Sequence, residues 1–192
     1  MRHESISLPA VARAARLNDS MHDLGAADIL ERVLKDGAAG RVALVSSFGA
    51  EAVVLLHMAA SIDRAVPVLF VDTEMLFAET LVYQHELAER LDLRDLRIVR
   101  ASRADLAAED PDGTLHRRAP DACCALRKTR PLQRALDGFD GWITGRKRYQ
   151  GATRSALDFF EVEPGTGRIK VNPLAHWTPE DIRTYMEENR LP

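Results

Sequence analysis

Cysteine is almost missing from this 192-residue chain: it has two, Cys123 and Cys124, side by side. A single pair excludes a disulfide framework. Neighbouring cysteines bridge each other only through a strained ring, which excludes an ordinary structural disulfide as well. No apolar run approaches the roughly 20 residues that span a bilayer. The N-terminal stretch MRHESISLPAVARAARL is too polar for the apolar core of a secretory leader. Arg2, Arg13 and Arg16 give it a weak organellar-presequence character that Glu4 and Asp19 oppose, so the expectation is a cytoplasmic protein without membrane attachment. Neither charge is in excess, with 26 Lys and Arg against 29 Asp and Glu and a net charge of -3. That balance gives no global attraction to nucleic acid, and any anion site must come from a local cluster of cations. The six histidines make no metal-ligand pattern: His22, His57, His85 and His176 read as helix or packing residues, and only His116 lies near the cysteines. Internal repeats and low-complexity segments are absent.

Hydrophobic residues make up 46% of the chain, enough for a core and too many for a disordered segment. At roughly 150 residues per domain the length suggests a single domain over residues 1–192. Short apolar runs at Val42–Val45 and Val66–Val71 read as buried strands, and Leu96–Val99 and Trp142–Thr144 as a third and a fourth strand. Helical periodicity places helices at Ala26–Lys35, before the first strand, and at Glu51–Ala60 and Ala78–Leu91, between the strands. Leu157–Val162 and Arg168–Val171 flank Pro164-Gly165-Thr166-Gly167, a hairpin turn. A last helix starts at Pro179 with Thr178 as N-cap and runs to about Asn189. Asp110–Arg118 reads as a polar loop. Strands alternating with helices imply a mostly parallel sheet with helices on both faces, and such sheets bind ligands at the carboxyl ends of their strands.

The informative residues follow the strands. After the first comes Ser46-Ser47-Phe48-Gly49-Ala50-Glu51 and then a helix. That order suits an oxyanion, because backbone N–H groups and the helix dipole converge there. Ser46 and Ser47 add hydroxyls, and Gly49 permits close approach; an ordinary Ser-capped turn explains the stretch about as well. After the second strand come Asp72, Thr73 and Glu74, suited to ribose or adenine recognition, although a helix N-cap is the simpler role taken alone. Gly145–Arg154 carries Arg146, Lys147, Arg148 and Arg154, an anion clamp in which the planar guanidinium pairs bidentately with phosphate or sulfate.

Together these segments resemble the PP-loop superfamily and, within it, the sulfonucleotide reductases. VSSFGAEAVVLLHM is similar to that family's phosphate loop and FVDTEMLFAETL to its LDTG-x-x-F-P-E-T motif. TGRKRYQGATRSAL is similar to its Arg-rich loop, and VNPLAHWTPEDI to its N-P-L-x-x-W-x-x-x-D-I segment. CCALRKTRPL resembles the C-C-x-x-R-K-x-x-P-L pattern of the assimilatory adenylyl-sulfate reductases. Ala52 and Glu74 depart from the family, which often has Ser or Asp at the first and Gly at the second. The loop does not read as the S-G-G-x-D-S form of ATP pyrophosphatases.

The resemblance implies a Rossmann-like adenine nucleotide alpha-hydrolase (PP-loop) α/β fold. It implies thioredoxin-dependent reduction of adenosine 5′-phosphosulfate to sulfite and AMP, in assimilatory sulfate reduction for cysteine biosynthesis, through an enzyme S-sulfocysteine. Substrate binding falls to Ser46, Ser47, Phe48, Gly49, Asp72, Thr73, Lys128, Gly145, Arg146 and Arg154. Cys123 and Cys124 become two of the four ligands of a 4Fe–4S cluster. Arg127, Lys128, Arg130, Arg117 and Arg118 supply positive charge beside them. The partners implied are a sulfonucleotide, a thioredoxin or glutaredoxin-like reductant, and further copies of the chain in a homo-oligomer. The family's second C-x-x-C and its nucleophilic cysteine are expected beyond Pro192, so the chain as given is expected to be inactive. The alternatives are a cluster-free reductase of the 3′-phosphorylated substrate, an ATP sulfurylase-like transferase, and a binding module without chemistry.

Overall fold

The structure is a computed structural model and describes residues 10–151 and 156–192. Its elements run α1 (Ala10–Met21), α2 (Ala26–Leu34), β1 (Val42–Ser46), α3 (Ala52–Ile62), β2 (Val68–Val71), α4 (Ala78–Arg90), β3 (Leu96–Val99), α5 (Arg103–Glu109), α6 (Leu115–Arg118) and α7 (Pro120–Cys124). A π-helical turn over Ala125–Thr129 leads into α8 (Arg130–Ala135), followed by β4 (Gly141–Ile143), a 3₁₀ turn (Arg148–Gln150), β5 (Phe160–Val162), β6 (Ile169–Val171) and α9 (Pro179–Glu188). The chain divides into two compact units, one of residues up to Val42 with Phe139–Leu191 and one of Ala43–Gly138.

In the Ala43–Gly138 unit the strands are ordered β3-β2-β1 and all parallel, with Leu44 beside Val68 and Val68 beside Leu96. Ala43 and Leu44 of β1 and Val68, Leu69 and Phe70 of β2 are almost completely buried. Such continuous apolar runs are what a parallel sheet covered on both faces requires. The apolar sequence of α3 has the same cause, since Val53, Val54, Leu55, Leu56, Met58, Ala59 and Ala60 are all buried.

In the other unit β4 pairs parallel with β6, and β6 pairs antiparallel with β5 through the expected Pro164–Gly167 turn. Here α1, which the polar N-terminal sequence does not announce, packs on β5. The Asn18 side chain takes the place of a neighbouring strand: its Nδ2 donates to the Phe160 carbonyl at 2.8 Å and its Oδ1 accepts from the Phe160 N–H at 2.9 Å. The last helix begins as expected, with Thr178 Oγ1 accepting from Asp181 N–H at 3.2 Å and Asp181 closing the capping box.

Gly141 opens β4 where the neighbouring strand comes close. A Cβ there would collide with the Ile169 carbonyl oxygen on β6. Backbone cannot give way as a flexible side chain can. Gly141→Ala is therefore expected to destabilise the chain by about 1–3 kcal/mol, read as a lower urea midpoint. An unchanged midpoint would show that β4 and β6 are not held at this separation.

Candidate functional site

The loop behind β1 is shaped by two local choices. Ser46 is buried, and its Oγ accepts the Phe48 N–H at 3.1 Å while keeping its own proton to donate. Phe48 takes a left-handed conformation, φ 51°, and buries its ring edge-to-face on Phe70 at 5.2 Å. A non-glycine residue rarely adopts that conformation. The buried aromatic pair holds it there and turns the chain toward α3, with the Gly49 carbonyl accepting from Ala52 N–H at 2.8 Å. Phe48 thus offers the loop its backbone only. Ser47 and Gly49 are exposed. A Cβ at Gly49 would meet nothing closer than Ser47 Oγ at 3.7 Å, so internal packing does not demand glycine there. The room beside Gly49 is what an anion at the start of α3 would occupy.

Behind β2 the side chains do not cap a helix. α4 begins five residues after Thr73 and has Phe77 at its N-cap with no side-chain bond. Instead Asp72 forms a local turn, its Oδ1 accepting Glu74 N–H at 2.8 Å, while its Oδ2 is paired with Arg100 at 2.8 Å. Glu74 adopts φ 59°, the left-handed region that explains why glycine suits this position. Its carboxylate lies 3.1 Å from Arg103 and 3.9 Å from Arg127. Thr73 contributes its carbonyl, which accepts from Arg127 Nη1 at 3.1 Å.

The two cysteines end α7, in the first third of one continuous helical run, residues 120–135. The run carries Pro131, which lacks an N–H and would crowd the carbonyl four residues earlier in a regular α-helix. The widened π-turn directly before it relieves that crowding, with Arg130 N–H donating to the Ala125 carbonyl five residues back. Turns of this kind recur at functional sites. Consecutive helical residues diverge by about 100°. Cys123 accordingly packs with Leu106, Leu115 and Leu126, while Cys124 faces solvent.

The local charge is smaller than the sequence suggests, and Asp110 is the reason. It lies in the stretch expected to be a polar loop, yet it is buried: it accepts Leu115 N–H at 2.8 Å and pairs with Arg127 Nη2 at 2.8 Å. Arg130 is bidentate on Glu109 at 2.7 Å for both bonds, and Arg118 lies 3.4 Å from Asp112. Three of the five expected cations are therefore offset by carboxylates. Lys128 and Arg117 are exposed and enter none of these pairs. Arg127 Nε is buried without a hydrogen-bond partner among the described residues. His116 is exposed and bonded to the Gly113 carbonyl.

In the other unit the loop behind β4 is built on a hydrogen-bond chain. Thr144 Oγ1 donates to Asn172 Oδ1 at 2.9 Å and accepts Arg146 N–H at 3.2 Å. Asn172 is fully buried and donates to Glu161 at 3.1 Å, and Glu161 holds the half-buried Arg146 at 3.0 Å. The Asn of the N-P-L segment thus acts on the Arg-rich loop through Glu161. Gly145 is half-buried, Lys147 is buried, and Arg148 donates to the Leu157 carbonyl at 2.8 Å. Arg154 lies outside the described residues. His176 packs on Phe159 at 4.3 Å, as expected of a packing residue.

Several groups couple stability to pH. Burial pushes the His57 and His176 imidazoles down, helped by Arg90 and Arg148 respectively. Arg127, then the Leu115 N–H, hold the Asp110 carboxyl below its ordinary value. A group lowered in the folded state stabilises above its unfolded pKa, and that contribution is lost as pH falls. Stability is expected to decline on acidification in two stages, first below about pH 6.5 and then more steeply below about pH 4. Urea midpoints measured from pH 8 to pH 3 check this, and a midpoint rising between pH 7 and pH 5 would contradict the histidine part.

The mostly parallel sheet with its helices, and the loops that follow β1 and β2, define an α/β fold of the PP-loop type. The chain belongs to the phosphoadenosine phosphosulfate reductase domain family, whose model matches residues 41–192. It is 44% identical over 180 residues to a protein named adenosine 5′-phosphosulfate reductase from Mesorhizobium japonicum, covering 94% of this chain and 70% of that one. A Chelativorans protein of the same name is 46% identical over 153 residues, 79% of this chain and 61% of its own length. The crystal structure of phosphoadenylyl-sulfate reductase from Candida auris, a phosphate complex, superposes with a TM-score of 0.76 at 26% identity, covering 93% of this chain and 86% of that one. Among the described residues no helix is long and apolar enough to cross a membrane.

Proposed function

We propose that this chain is the nucleotide-binding part of an adenosine 5′-phosphosulfate reductase of assimilatory sulfate reduction. The observation that carries the proposal is the Cys123–Cys124 pair, set on a π-turned helix in a chain whose two relatives above bear that enzyme's name. The loop Ser46–Gly49 would cradle phosphate through its hydroxyls and backbone N–H groups, and Asp72 and Thr73 would recognise the nucleoside. Gly145, Arg146 and Arg154 would clamp an anionic part of the substrate, with Lys128 supplying charge on the cysteine side.

Cys123 and Cys124 are thiolate donors of the type that holds an iron–sulfur cluster. They make up two of its four ligands, and among the described residues no group of three or more His, Cys, Asp or Glu side chains is placed to hold a metal ion. The donor chemistry fits the group in part; one thiol is open to solvent and the other must leave its apolar packing to share a ligand. A bound cluster would supply positive iron centres and a fixed scaffold beside the substrate.

In the reaction a cysteine thiolate, assigned to neither Cys123 nor Cys124, attacks the sulfur of the phosphosulfate. The sulfur–oxygen bond breaks, AMP leaves with the electron pair, and an S-sulfocysteine remains. A thioredoxin-type dithiol then attacks the cysteine sulfur, is oxidised to its disulfide and releases sulfite. Arg146 and Lys128 would screen the charge that the incoming thiolate meets.

Ligand-induced thermal stabilisation tests the substrate class. At one hundred times its Kd a ligand that binds only the folded chain adds about 2.7 kcal/mol. Adenosine 5′-phosphosulfate is expected to raise the midpoint more than the 3′-phosphorylated analogue or Mg-ATP at equal concentration. A larger rise with Mg-ATP would move the chain to the transferases.

A further inference from the structure

Arg127 joins three segments of the Ala43–Gly138 unit. Its Nη2 meets the buried Asp110 after α5, and its Nη1 meets the Thr73 carbonyl and approaches Glu74 behind β2. Its own helical run carries Cys123 four residues earlier. Residues at that spacing lie on one helical face. Glu74 in turn is held in a left-handed conformation, which a residue with a Cβ rarely adopts, and its carboxylate is tied to Arg103 and Arg127. The loop behind β2 is thus fastened to the cysteine-bearing helix through one buried guanidinium.

We infer that Glu74 and Arg127 are positioning residues that couple nucleotide occupancy behind β2 to the packing of Cys123. The inference rests on the nucleotide reading of Asp72 and Thr73 proposed above. A ligand engaging those residues shifts the Thr73 carbonyl and the Glu74 carboxylate, both of which bear on Arg127. Arg127 is 7% exposed, and its Nε, buried without a partner among the described residues, still has one N–H to place, so a shift of either contact behind β2 is passed along its own helical run to Cys123.

The test uses the metal-free chain in a Cys124→Ser background, so that Cys123 alone reacts with a disulfide reagent such as dithionitrobenzoate. AMP is the probe, and its binding is measured separately by calorimetry. Saturating AMP is expected to change the labelling rate of Cys123 by about tenfold. Glu74→Gln, labelled at AMP concentrations that calorimetry shows to saturate it, should lose most of that change, and Glu74→Asp, which keeps the charge, should recover part of it. Direct shielding of Cys123 by the nucleotide, or a purely structural role for Glu74, predicts the same AMP effect in all three. AMP binding with an equal or absent effect on Cys123 would overturn the coupling and leave the nucleotide site standing. Failure of AMP to bind the Cys124→Ser chain would remove both.

Discussion

Arg127→Met is expected to destabilise the chain by about 3–5 kcal/mol, among the largest losses available to a single substitution outside the apolar core. The cost comes from what is left behind. Asp110 has a side chain with no exposed surface, and Arg127 provides its charged partner. Methionine fills the space but leaves a carboxylate buried without a counter-charge, while the Thr73 carbonyl loses its donor. The Asp110→Leu/Arg127→Met double substitution should be less harmful than the two single losses added together, because removing both charges removes the desolvation penalty. Equilibrium urea unfolding reads this directly. A small loss for Arg127→Met, or strict additivity in the double variant, would mean that solvent reaches the pair.

Arg146→Ala is expected to weaken adenosine 5′-phosphosulfate binding by roughly 10- to 100-fold, the worth of a hydrogen bond to a charged group. Arg146 is already oriented: Glu161 holds its guanidinium, Asn172 holds Glu161, and Thr144 fixes both the Asn172 Oδ1 and the Arg146 N–H. Substitution at Asn172 should weaken binding less, since it loosens the arginine without removing it. It should cost more stability, because Asn172 is fully buried and also donates to the Asp158 carbonyl. The opposite ranking, with Asn172→Ala worse for binding and Arg146→Ala neutral, would transfer the anion contact away from Arg146.

The strands β1 and β2 were legible because burial on both faces leaves a contiguous apolar signature, whereas β3 is an edge strand with Arg97 and Ile98 exposed. VALV, VPVLFV and LRIV each fall on an observed strand, and the hairpin turn announces itself through Pro164, Gly165 and Gly167. The helix α1 was not legible: its buried residues are only Ala14 and Met21, and the hydrogen bonds described between it and β5 come from Asn18. The loop behind β1 was readable as a ligand loop, but the division of labour within it was not. The left-handed turn at Phe48, which buries its ring on Phe70 and leaves only its backbone to the loop, depends on tertiary packing that the sequence does not show. The cations near the cysteines were overcounted for a similar reason. Their carboxylate partners Glu109, Asp110 and Asp112 lie in a polar stretch whose fold depends on tertiary packing, so the sequence lists the charges without showing which cancel. The Thr144–Asn172–Glu161 chain could have been suspected from the motifs that contain Thr144 and Asn172, but the spacing of 28 residues between them carries no local signal.

Substrate class is the central claim, and parallel calorimetric titration of the 192-residue chain with adenosine 5′-phosphosulfate, its 3′-phosphorylated analogue and Mg-ATP tests it most directly. Tightest binding of the unphosphorylated sulfonucleotide is the expected result. Tighter binding of the 3′-phosphorylated analogue, or of Mg-ATP, would contradict it.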